Sequence, residues 1–174
     1  MLLAATWLLA VPDPASAQTN DPKLPQQYYI FDHNIDDAWT INKGSSNTRV
    51  AIHSMAGFTS SHEDLEGARY LNPWTEWFGP EHDYASEIAG IVGAQTDNGT
   101  GIAGIDWNST MKSYNILRQN QPGDDHTAAT FVYDNQEYYL DVGKLDAMVD
   151  QALQDGMDIN VFNLWRAERQ KVGS

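Results

Sequence analysis

The sequence predicts an α/β fold, a parallel sheet flanked by helices. Short apolar runs of strand type recur at residues 49–55, 114–117 and 159–164. Two stretches between them, 84–94 and 142–153, carry their apolar residues at helical spacing. Strands separated by helices rather than by tight turns pair in parallel, which is what this alternation dictates.

Taken in order, residues 1–17 read as a secretory signal. Residues 2–11 are apolar but too few to cross a bilayer as a helix, and Pro12 and Pro14 break the run. Ala15-Ser16-Ala17 supplies the small-x-small cleavage pattern, so the expected product begins near Gln18 and is secreted or periplasmic. The remaining 18–174 is expected to form one domain. Residues 18–27 are polar and proline-punctuated, an extended arm. A short helix is expected over 36–41, closed by Lys43-Gly44. Residues 49–55 form a buried strand, and 59–80, with Gly67, Pro73, Gly79 and Pro80, a loop. The helix over 84–94 presents Ile88, Ile91 and Val92, with Asp83 at its start. Residues 95–101 form a glycine-bearing loop, and 118–127 another. Val142, Leu145, Met148, Val149, Ala152 and Leu153 trace one helix face that Gly156 ends.

Composition narrows the function classes. Hydrophobic residues make up 41% of the 174, with six Trp and eight Tyr, enough for a packed core. The 24 acidic and 10 basic residues give a formal charge of −14, which repels phosphate backbones and excludes nucleic acid as a partner. Without cysteine there are no disulfides, thiolate chemistry or cysteine-held zinc. No segment after the signal is apolar enough to span a membrane.

An ordered set of short motifs is more specific. Asn20-Asp21-Pro22, Gln26-Gln27-Tyr28, Ala38-Trp39 and Gly44-Ser45-Ser46-Asn47 precede the strand Val50-Ala51-Ile52 and Gly57. His62-Glu63-Asp64-Leu65, then Ile88-Ala89-Gly90-Ile91-Val92-Gly93-Ala94 and Asn98-Gly99-Thr100-Gly101-Ile102-Ala103-Gly104 follow, and Ala152-Leu153-Gln154-Asp155-Gly156-Met157-Asp158 closes the series. In this order and spacing the chain resembles the N-terminal half of the subtilisin-like (subtilase) serine peptidase family. The resemblance implies a subtilisin-like parallel sheet flanked by helices, truncated at the C-terminus, whose parent activity is endoproteolysis by a Ser-His-Asp triad.

The same resemblance exposes losses. The family's Asp-Thr-Gly falls on Met55-Ala56-Gly57, so the orienting acid becomes Met55. Its His-Gly-Thr-His falls on Tyr84-Ala85-Ser86-Glu87, so the general base becomes Tyr84. The family's serine and its oxyanion asparagine belong to segments beyond residue 174. A serine hydroxyl attacks only when a neighbouring imidazole accepts its proton, and a phenol stays protonated at neutral pH. Met55 has no charge with which to stabilise an imidazolium. His82, outside the expected helix, and His53, on the strand before Met55, are each weaker substitutes than a base in register. Asn163, Leu164 and Trp165 fall on the family's substrate-lining Ser-Leu-Gly, with an indole in place of the glycine.

The resemblance also implies a calcium site. Its side-chain ligands are Asp21, Asp64 and Asn98, and its backbone carbonyls come from Gln95, Thr100 and Ile102. All are oxygen donors of the kind Ca²⁺ takes. Gly99-Thr100-Gly101-Ile102-Ala103-Gly104 also fits the dinucleotide-binding glycine pattern, but it follows a helix and leads into a strand, the reverse of what pyrophosphate binding needs. Trp74, Trp77 and Phe78 lie in a proline-bearing loop that could meet an extracellular protein or peptide. The expected function is thus a secreted, catalytically inactive peptidase homologue. The alternatives are a calcium-stabilised non-catalytic binding pseudoenzyme and a non-functional truncated gene product.

Overall fold

The computed structural model describes residues 19–55, 57–59, 62–71, 80–119, 130–133, 136–140 and 142–164. Residues 1–17, expected as a signal, and Trp74, Trp77, Phe78 and Trp165 lie outside them.

Strand β1, Arg49–Ser54, is buried along almost its whole length. Successive strand residues point to opposite faces. Val50 and Ile52 accordingly join Phe58, Leu65, Tyr70, Ala89 and Met111 on one side, and Ala51 joins Tyr114, Ala152 and Met157 on the other. A strand apolar on both faces belongs at a sheet centre. β1 pairs in parallel with β3, Thr110–Asn115, and with β7, Ile159–Asn163. With β2, Tyr70–Leu71, the order is β2-β3-β1-β7, all parallel. Helix α3, Pro80–Gly93, covers the Val50 face and α4, Val142–Gln154, the Ala51 face. The expected α/β architecture is the one observed.

Helix ends follow local chemistry. Pro80 opens α3, where its missing N–H costs nothing. Gly156, at φ +71°, closes α4 in a Schellman motif, with Met157 N–H bonding Ala152 O at 2.9 Å and Gly156 N–H bonding Leu153 O at 3.1 Å.

Several boundaries differ from expectation. β3 begins at Thr110, not Tyr114, because Lys112 and Ser113 interrupt its apolar run while Met111 is fully buried. β2 lies inside the stretch expected to be loop. α3 starts four residues early, so His82 lies within it rather than outside. Residues 18–27, expected as an extended arm, contain a 3-10 turn, Leu24–Gln26; α1, Tyr28–Asp32, follows it, and α2, Ile35–Trp39, corresponds to the short helix expected over 36–41. Residues 118–127 were expected to be loop, yet β4, Leu117–Gln119, enters them and joins an antiparallel sheet of order β4-β6-β5 with β5, Thr130–Tyr133, and β6, Gln136–Leu140. Strands this short carry too few residues for a period-two signal.

A third cluster seats the N-terminal helices on the loop after α3: Ile30, Trp39 and Ala103 pack with Leu24, Tyr29 and Trp107. Gln27, buried, clamps Ala103 through both backbone groups, Nε2 to the carbonyl at 2.8 Å and Oε1 from the N–H at 2.7 Å. At the end of α4, Lys112 Nζ and Tyr114 Oη both donate to Asp155 Oδ2, at 2.5 and 2.6 Å. These bonds, Lys112's first, pull the Asp155 carboxyl down to about 2. Among the described residues no helix is long and apolar enough to cross a membrane.

Candidate functional site

The carboxyl end of the parallel sheet gathers the positions marked in the sequence. β1 ends at Ser54, and buried Met55 follows it directly. Ser54 sits opposite Asn163, the last residue of β7. Asn163 Nδ2 donates to the Tyr84 carbonyl of α3 at 3.4 Å. Just beyond Met55, Thr59 N–H donates to Ser86 Oγ at 3.0 Å, tying the same helix turn to the loop after β1. Met55, Tyr84, Asn163 and Leu164 therefore share one end of the sheet, where open α/β sheets bind ligands. Tyr84 is 42% exposed there.

Met55 and Tyr84 themselves bring little acid–base chemistry to this end. A thioether neither gives nor takes a proton, and a phenol is a poor acceptor. His53 stands one residue before Ser54 on β1. It is fully buried, its Nε2 faces Asn160 Oδ1 at 2.8 Å, and burial holds its pKa below the usual 6.5. His82 lies two positions before Tyr84 on α3, a rotation of roughly 200° about the helix axis. His62 is exposed, and its Nδ1 accepts the Asp64 N–H at 3.2 Å.

The second constellation joins three distant segments. Asp21 and Asp64 are 3% and 1% exposed, and both engage the loop after α3. Asp21 Oδ2 accepts the Asp97 N–H at 2.9 Å and Oδ1 the Asn98 N–H at 3.3 Å. Asp64 Oδ1 accepts Asn98 Nδ2 at 3.2 Å and Oδ2 the Ile102 N–H at 2.9 Å. Asn98 Oδ1 accepts the Thr100 N–H at 2.8 Å. Among the described residues neither carboxylate has an ion-pair partner, and no hydrogen bond ends on the carbonyls of Gln95, Thr100 or Ile102. No three His, Cys, Asp or Glu side chains converge as a metal group among those residues. The set here is of a different kind: two carboxylates, one amide and three carbonyls.

Further residues, to which the sequence alone assigns no role here, build this loop. Asn20 Oδ1 accepts the Gly99 N–H at 2.6 Å, and Asn20 N–H returns a bond to Asp97 Oδ1 at 3.1 Å. Gly101 has φ +51°, and a Cβ there would stand 1.8 Å from Asp64 Oδ2. A glycine between Thr100 and Ile102 was the available signal; its close approach to Asp64 was not.

No protein-family model matches the chain. Over 105 residues it is 31% identical to a protein described as "Thermophilic serine proteinase" from Bacillus sp. (strain AK1), a match covering 57% of this chain and 24% of that proteinase. The chain is similar to a serine proteinase. It spans about a quarter of that proteinase's length. The similarity supports a subtilase-like relationship, and the four-stranded parallel sheet with its helices is consistent with a subtilisin-like architecture.

Proposed function

We propose that this chain is an exported subtilase-type serine peptidase homologue that does not hydrolyse peptides by itself. One observation carries the reading. The end of β1 and the α3 turn beside it, held together through Asn163 and Ser86, offer Met55 and Tyr84 where an acid and a base would be needed. Without an imidazole to take its proton, no hydroxyl bound there becomes a nucleophile. The apolar stretch at 2–11 with Ala15-Ser16-Ala17 supports export.

The buried carboxylates favour a refinement, a calcium-stabilised pseudoenzyme. A carboxylate has about four lone-pair sites, and the bonds above use two on each of Asp21 and Asp64. Asp21, Asp64, the Gln95, Thr100 and Ile102 carbonyls and the Asn98 amide are the residues that would hold the ion. Asn98 now directs its Nδ2 at Asp64, so ligation requires its amide to turn. A cavity of about 320 Å³, with Asp64, Gly101 and Ile102 in its lining, opens beside the cluster. Bound calcium would supply countercharge to two buried anions and fix the N-terminal arm; it would take no part in bond cleavage.

An active serine hydrolase is labelled covalently by a fluorophosphonate. The purified chain is expected to keep its unmodified mass after exposure, beside a serine proteinase control that reacts. Stoichiometric labelling of one serine of this chain would refute the reading.

A further inference from the structure

One buried titratable group stands outside that reading. His53 occupies the central strand, fully buried. Its ring stacks between Tyr114 of β3, at 5.1 Å and 24°, and Phe162 of β7, at 4.6 Å and 13°. With Asn160 Oδ1 as acceptor at 2.8 Å, the neutral ring carries its proton on Nε2. Nδ1 has no hydrogen-bond partner among the described residues. A bare lone pair is tolerable there; an N–H would be a buried donor with no acceptor.

We propose that His53 is an acid-operated latch on strand β7. Two of the three partners just named, Asn160 and Phe162, belong to β7, which among the described residues is hydrogen-bonded only to β1 within the sheet. Protonation puts a charge and an unpaired donor into the β1–β7 seam. Among the described residues the surrounding groups offer no relief. From β3, the Tyr114 hydroxyl is committed to Asp155, whose carboxylate also holds Lys112. β7, Ile159–Asn163, carries no titratable side chain. On the α4 side Met148, Ala152 and Met157 pack around Tyr114 and Ala51. On β1 itself, Arg49 is engaged with the Asp155 carbonyl. Water must therefore reach the imidazolium, and among the described strands beside His53, β7 is the one that can part without breaking two ladders.

The direction follows from linkage. Burial keeps the folded value below 6.5, the Asn160 bond opposing it only in part. The opened state binds a proton that the closed state refuses, so closure is fully favoured above 6.5 and weakens as pH falls from there toward the folded value. One proton changes the open-to-closed ratio by up to about tenfold per pH unit in that window.

Amide exchange followed by NMR between pH 7.5 and 5, corrected for intrinsic rates, tests this. The β7 amides that pair with β1 are expected to lose protection by up to about tenfold per unit below 6.5, while β3 and α3 amides keep theirs. His53→Phe retains the aromatic stack without a base, and its β7 protection is expected to be flat with pH. Should that variant not fold, the wild-type imidazole titration decides: a midpoint below 6.5 supports the latch. A midpoint at or above 6.5, equal loss in β3 and β7, or an unchanged pH response in His53→Phe would overturn it.

Discussion

Gly104→Val is expected to cost about 3 kcal/mol or more of unfolding free energy, a large share of the stability of a small domain. A Cβ at Gly104 would lie 2.4 Å from Ala94 N and 2.6 Å from Gly93 Cα, backbone atoms that no rotamer change can clear. Neither side can retreat. Ile105 and Asp106 N–H groups bond the Ile91 and Val92 carbonyls at 3.0 and 2.9 Å, fixing the loop against the last turn of α3. From the other direction Arg69 Nη2 holds the Gly93 and Ala94 carbonyls at 2.7 and 2.9 Å. Relief of the overlap must break one of these sets. Urea unfolding of wild type and variant measures the loss; a midpoint unchanged by the valine would show that the loop is not docked on α3 as described.

Asp64→Ala is the second substitution of large effect. It removes an almost fully buried carboxylate, leaves the Ile102 N–H without its acceptor and leaves Asn98 Nδ2 only its 3.5 Å bond to Gln95 Oε1, a loss of about 3 kcal/mol. It also removes one of the two anions that calcium would neutralise. Wild-type protein with calcium at a hundred times its Kd should gain about 2.7 kcal/mol over protein in chelator, a rise in Tm of roughly 5–10 °C. In Asp64→Ala that increment should vanish. The two parts separate cleanly. A destabilised variant beside a wild type indifferent to chelator would keep the hydrogen-bond account and discard the metal.

The sequence made some of this legible for definite physical reasons. β1 and β7 announce themselves because each packs apolar residues on the sheet, and α4 because its period and Gly156 agree. β3 was half hidden: Lys112 looks like a surface residue, yet it reaches Asp155 from a strand whose neighbours are buried. α1 escaped because a five-residue helix has scarcely more than one turn in which to show a stripe. At the site, Asp21, Asp64 and Asn98 were connected only through family resemblance, since they come from three segments that no local spacing relates. The glycines are the clearest limit. Gly101 and Gly104 read as turn residues, but their need for hydrogen in place of a side chain depends on Asp64 and on the Gly93 backbone, far off in the chain.

The central claim is that the end of the sheet lacks the means to activate a hydroxyl. Hydrolysis of casein and of chromogenic peptides by the purified chain, at pH 8 with calcium present, tests it most directly. Rates should match buffer alone and stay unchanged in Met55→Ala and Tyr84→Phe. Turnover by the wild type that disappears in Tyr84→Phe would contradict the account.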